Sequence, residues 1–181
     1  MFMTRAAREQ SYKAEVRRTH ALLKPIQTEA AAIFYPTLFE VDPSTKPLFK
    51  DVDMEKQGAK LMKVIGVAVM MLDKMDEFKP MLVELGKRHV TYVVTDDMYP
   101  SVVSALLITL QKGLGEECHQ LTKDAWAWVM NSLAAVCIAA AREDTAAPAG
   151  EKKLPIEKNT AAAAAAVVAV AVAVGVLVLR K

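Results

Sequence analysis

Apolar residues recur every three or four positions along roughly the first 145 residues, and strand-like alternation of apolar and polar residues is nearly absent there. This spacing places the apolar side chains on one face of an α-helix. The pattern therefore predicts an all-α fold built from seven helical segments. In chain order they cover about residues 5–24, 26–40, a short turn before 49, 53–75, 79–91, 96–113 and 122–142.

Prolines and one threonine mark where these helices end or begin. Pro25 ends the first helix or opens the second, and Pro43 and Pro47 leave room for only a short turn of helix before Phe49. Thr95 is expected to cap the helix that starts at residue 96, with two acidic residues placed favourably at the positive end of that helix.

The segment 161–179 differs from the rest of the chain because it carries no charged or polar side chain. At about 1.5 Å per residue it would extend roughly 28 Å, close to the ~30 Å hydrocarbon thickness of a bilayer. Basic residues flank it on both sides. We therefore expect a folded domain at 1–144, a linker at 145–160 and a C-terminal transmembrane helix at 161–179.

A membrane span this close to the C-terminus can insert only after synthesis. The expected protein is therefore single-pass and tail-anchored, with its folded domain facing the cytosol. The alternative for segment 161–179 is a low-complexity Ala/Val tail that is disordered or prone to aggregation.

Charge and cysteine content narrow the function classes. The chain has 23 basic and 21 acidic residues and a net charge of +2, which argues against a nucleic-acid binder. Cys118 and Cys137 lie far apart, without a CxxC motif or a zinc-ligand spacing. They are expected to be two core thiols in a reducing compartment.

His89 is the first candidate for chemistry. It follows Met81 and Leu85 at intervals of four residues, so the three side chains share one helix face. A histidine in such a setting is either a buried neutral imidazole bonded to backbone, or a ligand to a metal or a haem iron. The other two histidines, His20 and His119, are expected to be surface or structural residues.

Seven short phrases, in order along residues 19–142, resemble the globin family, and most closely single-domain bacterial haemoglobins and the haem domain of flavohaemoglobins. The phrases are THALLKP, FYPTLF, KPLF, KQGAKLM, GKRHVTYVV, DDMYP and DAWAW. The resemblance implies a globin fold, a haem b cofactor with its iron, and binding of O2, NO and CO. The folded domain at 1–144 would then be a globin haem domain.

At the porphyrin and the iron ligand, the resemblance implies three roles. His89 would be the metal ligand, binding the haem iron through a ring nitrogen. Phe49 would stack on the porphyrin, although plain core packing explains a phenylalanine equally well. Tyr99 would join a hydrogen-bond network with His89 and a glutamate.

On the distal side, Tyr35 and Gln57 are the expected catalytic residues. The Tyr35 hydroxyl would donate a hydrogen bond to iron-bound O2, whose outer oxygen carries partial negative charge. Gln57 would donate a second hydrogen bond but is a poor iron ligand, so the sixth coordination position should stay open. Leu61 would shield the ligand from above.

The match also departs from the family pattern. The position of the proximal glutamate falls on Ala141, with Glu143 two residues beyond, which weakens peroxidase-like electron donation to the iron. Pro36 follows Tyr35 inside a helix and leaves the direction of the Tyr35 hydroxyl open. No flavin or nicotinamide domain follows, so turnover is expected to need a separate electron-donating reductase.

The sequence therefore predicts a membrane-tethered haem globin that supports NO dioxygenation with a separate reductase. Reversible O2 binding and delivery is an alternative, because without the glutamate the iron would receive less electron density from its histidine ligand. Two further alternatives are a haem-based redox or sensor protein and a haem-free helical module. The retained set of His89, Phe49, Tyr35 and Gln57 argues against the last of these.

Overall fold

The chain folds into helices throughout the part that a computed structural model describes, residues 3–91 and 94–146. The predicted anchor at 161–179 and nearly all of the predicted linker lie outside these residues. Six α-helices and three 3-10 segments form the described part, and they include no strand. The α-helices are α1 (Arg5–Leu23), α2 (Gln27–Val41), α3 (Met54–Met70), α4 (Met75–Thr91), α5 (Met98–Leu114) and α6 (Gln120–Ala146). The 3-10 segments are Lys24–Ile26, Pro43–Phe49 and Gly115–Glu117.

The all-α prediction is confirmed, and the seven predicted segments correspond to the six α-helices and the 3-10 turn Pro43–Phe49. The boundary between α3 and α4 lies earlier than predicted, because α4 begins at Met75 rather than at residue 79. Phe78 in its first turn is 1% exposed and anchors that turn in the core. Pro80 consequently lies inside α4, where it removes one backbone donor.

The prediction that Thr95 caps the following helix is wrong. Helix α5 begins at Met98 with Asp97 at its N-cap position, and no side chain caps it. Thr95 lies one turn upstream and accepts a hydrogen bond from the Met98 amide through its backbone carbonyl instead. Asp96 accepts two hydrogen bonds from Arg142 of α6, at 2.9 and 2.7 Å.

The main hydrophobic core is built around Trp126 of α6, which is 1% exposed. Its indole Nε1 donates to Thr19 Oγ1 at 2.9 Å, and the Thr19 hydroxyl donates to the Glu15 carbonyl oxygen at 2.7 Å. The Glu15 carboxylate is itself buried and accepts from Thr122 Oγ1 at 2.6 Å and from Arg18 at 2.9 Å. This network joins α1 to α6 across the core.

A second, smaller core lies beneath α4 and fixes that helix against α6. It contains Phe78 and Leu82 from α4 and Cys137 from α6, and the Cys137 thiol contacts the Leu82 carbonyl oxygen at 3.4 Å. Gly86 permits the close approach, because a Cβ atom there would lie 2.8 Å from Cys137 Cα and would collide with its carbonyl oxygen. The helix that carries His89 is therefore held tightly on α6.

Helix α6 is also the one described helix that is long and apolar enough, over Gln120–Glu143, to cross a membrane. Length and composition are weak evidence for a span, because core helices of soluble proteins have the same properties. Trp126, Val129, Cys137 and Ala140 of this helix are buried in the fold. Only 28% of its most apolar stretch is buried inside the fold.

Candidate functional site

His89 lies in the last turn of α4 and contacts the start of α5. Its Nδ1 atom is 3.1 Å from the Tyr99 hydroxyl oxygen, and the two rings meet edge to face with centroids 5.8 Å apart. Burial lowers the pKa of His89 to about 4, so the imidazole is neutral at physiological pH. No hydrogen-bond partner of Nε2 lies among the described residues. The side chain is therefore chemically suited to bind a metal through Nε2.

Tyr99, the partner of His89 in this contact, is a neutral phenol. Its burial raises the pKa of the hydroxyl, with Cys137 and Asp96 adding to the effect. Ala141 is half-buried and Glu143 is exposed. Within the described ranges, no carboxylate is hydrogen-bonded to His89 or Tyr99.

Tyr35 and Gln57 come together from α2 and α3. Tyr35 is 5% exposed and Gln57 is 7% exposed, and the Gln57 side chain lies near enough to the Tyr35 hydroxyl to lower its pKa, against the larger effect of burial. Burial raises the pKa of Tyr35, so it also remains a neutral phenol. Gln57 Oε1 is buried and has no hydrogen-bond partner.

Pro36 does not turn Tyr35 away from Gln57. Helix α2 continues through Pro36, which is exposed, while Tyr35 points into the fold. The ring of Tyr35 packs against Phe34 at 5.0 Å and Phe49 at 5.3 Å between centroids. Loss of one backbone hydrogen bond on the exposed face therefore leaves the direction of Tyr35 intact.

Phe49 ends the 3-10 turn and belongs to an aromatic group with Tyr35 and Phe39. Phe39 lies 5.6 Å from Phe49 and 6.3 Å from Tyr35 between ring centroids. Sequence reasoning missed Phe39, although its position four residues after Tyr35 places both on one face of α2. Leu61 of α3 is half-buried and packs against the main core.

The other histidines lie apart from these groups. His20 is half-buried, and burial lowers its pKa. The His119 side chain is 52% exposed, and its Nε2 is 3.8 Å from the buried Glu15 carboxylate. Neither contacts His89 or Tyr35 among the interactions of the described residues.

The described residues fit a haem group. A neutral imidazole with Nδ1 engaged and Nε2 unpaired is the donor that haem iron takes from a protein. Gln57 supplies a buried oxygen without a partner, and Phe49 supplies an aromatic ring next to the Tyr35–Gln57 pair.

Comparisons with known proteins agree with this geometry. The globin family model matches residues 32–137, more than half of the chain. A globin-like protein of Aquifex aeolicus is 30% identical over 120 residues, which cover 65% of this chain and 86% of that protein. A flavohemoprotein of Oceanobacillus iheyensis is 26% identical over 113 residues, which cover 61% of this chain but only 28% of that protein. A neuroglobin of Chaenocephalus aceratus is 27% identical over 107 residues, 52% of this chain and 67% of that one.

Solved structures show the same fold. A bacterial globin from Campylobacter jejuni superposes with a TM-score of 0.64 at 20% identity, covering 74% of this chain and 96% of that one. A flavohemoglobin from Malassezia yamatoensis, solved with bound FAD and heme, superposes with a TM-score of 0.62 at 17% identity, covering 74% of this chain and 36% of that one. From the family match and the shared fold together, the chain belongs to the globin family.

Proposed function

We propose that the chain is a haem globin that binds O2, NO and CO. The observation that carries this proposal is the state of His89, which is neutral, held through Nδ1 by Tyr99, and without a described partner at Nε2. Haem, when bound, supplies the iron centre that takes up diatomic gases and exchanges electrons. Family membership supports the cofactor, since a proximal histidine is the protein ligand of haem in globins.

The residues of this chain would hold haem from both sides. His89 would bind the iron, and Tyr99 would fix the plane of the His89 ring. Phe49 would stack on the porphyrin, and Leu61 would pack over the ligand side. The contact of Phe49 with Tyr35 supports this placement, because it puts the stacking ring beside the distal polar pair.

Within this function, we propose that Tyr35 and Gln57 support NO dioxygenation. Tyr35 and Gln57 are buried near each other, which supports a role for the hydroxyl and the amide as two hydrogen-bond donors to one diatomic ligand. A hydrogen-bond donor aimed at developing negative charge stabilises that charge most where water is excluded. Formation of nitrate from NO and O2 consumes one electron for each NO, so the proposal requires an electron-donating reductase as partner.

Reversible O2 binding is the second candidate, and one observation favours it. Neither His89 nor Tyr99 is bonded to a carboxylate in the described residues, and Ala141 stands where the resemblance would place one. A proximal carboxylate increases electron donation by the imidazole, so its absence gives a less strongly donating iron ligand. Such a site would hold O2 without driving its reduction.

Nitrate formation distinguishes the two candidates. The haem-loaded chain, supplied with a flavin reductase, NADH and O2, would be given NO in an electrode chamber while nitrate is measured. Tyr35→Phe and Gln57→Leu should each slow NO consumption at least several-fold, and Tyr12→Phe, a tyrosine change outside the pair, should not. If O2 binds stably but no nitrate forms, dioxygenation is wrong and reversible O2 binding stands.

We further propose that segment 161–179 anchors the protein in a membrane as a single-pass tail, with the globin domain facing the cytosol. This proposal rests on the apolar sequence of the segment and its basic flanks. The full chain should resist extraction from membranes by alkaline carbonate. Replacing Val170 and Val174 with Asp should release it, and recovery of the unaltered chain in the soluble fraction would contradict the anchor.

A further inference from the structure

The side-chain oxygen of Gln57 is a buried hydrogen-bond acceptor that nothing satisfies. In the part of the chain that the structure describes, Oε1 is the one buried side-chain nitrogen or oxygen without a partner. Tyr35 lies close to the Gln57 side chain, but its hydroxyl does not donate to Oε1. Buried polar atoms in folded proteins are nearly always paired, because an unpaired one has lost its bonds to water without replacement. The unpaired oxygen therefore indicates a ligand that donates a hydrogen bond.

The position of Gln57 on α3 is fixed by the crossing of α3 with α2. The next residue, Gly58, faces Ala31 of α2, and a Cβ atom at Gly58 would lie only 2.8 Å from Ala31 Cβ. The two helices are therefore in close contact directly beside Gln57. This contact holds the start of the side chain inside the fold, where the residue is 7% exposed. The unpaired acceptor is thus part of the packed structure and not of a surface loop.

The surroundings of the Tyr35–Gln57 pair are largely aromatic. The ring of Tyr35 lies 5.0 Å from that of Phe34 and 5.3 Å from that of Phe49 between centroids. An apolar environment penalises charged and strongly hydrated molecules, because they lose their bonds to water on entry. The pair is therefore suited to a small, neutral and weakly hydrated ligand.

The two ends of the Gln57 amide suit different ligands. O2, NO and CO carry no hydrogen, so they can accept from Nε2–H but cannot satisfy Oε1. The partly negative outer oxygen of iron-bound O2 would also be repelled by Oε1. A ligand that pairs with Oε1 must bring its own hydrogen, and small neutral molecules of this kind include water, hydrogen peroxide and hydrogen sulfide.

The features of the site favour hydrogen sulfide among these three. Strong electron donation by the iron ligand helps to cleave the O–O bond of a peroxide, and no carboxylate of the described residues is hydrogen-bonded to His89 or Tyr99 to increase it. Water is strongly hydrated, so its transfer into aromatic surroundings is costly. Hydrogen sulfide is weakly hydrated, and sulfur is an established donor atom for haem iron.

We propose that this chain binds hydrogen sulfide in its ferric haem form, and that Gln57 Oε1 recognises the ligand by accepting a hydrogen bond from its S–H group. This inference rests on the proposed function, since it requires the haem iron held by His89. The proposed step is binding alone, in which the sulfur supplies a lone pair to the iron and no electron is transferred.

Optical titration with sodium sulfide tests the role of Oε1. The ferric, haem-loaded full chain in detergent would be mixed with sulfide under argon in a stopped-flow instrument, so that binding is recorded before any slow reduction. Gln57→Leu should raise the Kd for sulfide roughly tenfold, the effect of losing one hydrogen bond. Gln10→Leu, which changes an exposed glutamine of α1, is the matched control and should leave the Kd unaltered.

Azide separates the acceptor role of Gln57 from a general effect on the site. It also binds ferric haem, but the azide ion carries no hydrogen and cannot donate to Oε1. Gln57→Leu should therefore weaken sulfide binding by a clearly larger factor than azide binding. A sulfide affinity that does not fall, or that falls no more than the azide affinity, would overturn the inference.

CO binding separates the inference from the proposed function. Failure of the chain to take up haem, or failure of the ferrous form to bind CO, would overturn the proposed function. Normal CO binding by the ferrous chain, together with a sulfide affinity that Gln57→Leu leaves unchanged, would overturn the sulfide inference alone.

Discussion

The Nδ1 atom of His89 lies 3.1 Å from the hydroxyl oxygen of Tyr99, and this contact links the end of α4 to the start of α5. When Nε2 carries the lone pair that binds iron, the proton of the neutral imidazole is on Nδ1. Nδ1–H then donates to the Tyr99 oxygen, which fixes the plane of the ring. Tyr99 is therefore a positioning residue for the proposed iron ligand.

Tyr99→Phe should remove this hydrogen bond while keeping the ring in place. The imidazole would lose an acceptor at Nδ1–H and would donate less electron density to iron. The iron–histidine stretching frequency of the ferrous chain, measured by resonance Raman spectroscopy, should fall. Tyr12→Phe is the control, and an unchanged frequency in Tyr99→Phe would show that the contact does not influence the iron.

Tyr35→Phe should accelerate O2 dissociation. The change removes a buried hydroxyl whose hydrogen bond to a ligand is worth about 1.4 kcal/mol, which corresponds to roughly a tenfold faster rate. Stopped-flow replacement of O2 by CO measures this rate directly. A rate equal to that of the unaltered chain would mean that the hydroxyl does not face the ligand.

Gly86→Ala should destabilise the fold by about 1–3 kcal/mol or more, because the new methyl group would overlap Cys137 where α4 and α6 touch. Urea unfolding of the haem-free chain measures the effect. Gly113→Ala is the control, since its added Cβ would lie 3.5 Å from Ile26 Cδ1, an ordinary contact. That change should be neutral or stabilise α5 slightly. Equal stabilities for the two variants would contradict the close approach of α4 and α6.

Glu15 should make stability depend on pH in the acid range. The Arg18 hydrogen bond, assisted by Thr122, holds the pKa of the buried Glu15 carboxyl below its ordinary value of 4.5. The unfolded chain therefore binds the proton more readily, so stability is complete above pH 4.5 and falls as pH decreases below it. Glu15→Gln should lose about 1–2 kcal/mol at pH 7 and show a flatter decline in acid.

The measurement for Glu15 is urea unfolding at a series of pH values from 7 down to 3.5. Glu116→Gln, which changes an exposed carboxylate near the same end of α6, should follow the unaltered chain. An identical acid dependence in Glu15→Gln would show that this carboxylate does not couple folding to pH.

The spacing of apolar residues predicted which segments are helical. It predicted the boundaries of those helices less accurately. The spacing of apolar residues follows directly from helix geometry, so six α-helices and the 3-10 turn were foreseeable. The start of α4 was not foreseeable, because its first turn is fixed by burial of Phe78 and not by a capping residue or a spacing in the sequence. Thr95 is not the side-chain cap of α5. Its backbone carbonyl oxygen, and not its side chain, accepts the hydrogen bond from the Met98 amide.

The residues of the candidate site were also predictable only in part. His89, Tyr99, Tyr35 and Gln57 were identified from the family resemblance. The fold brings them together as two pairs, His89 with Tyr99 and Tyr35 with Gln57. Their roles in catalysis and iron binding stay predictions. Gly86 matters because α4 and α6 approach each other closely at this residue, although the two contacting positions are some 50 residues apart in sequence. A single sequence carries no information on that distance.

Optical spectroscopy of the haem-loaded full chain in detergent tests the central claim most directly. We predict a five-coordinate ferrous spectrum that converts under O2 to a stable oxy spectrum, with both lost in His89→Ala and kept in His20→Ala. A six-coordinate ferrous spectrum without added ligand would indicate that a residue of the chain closes the site, which would favour electron transfer or sensing. Absence of haem uptake, or uptake that His89→Ala leaves unchanged, would contradict the account.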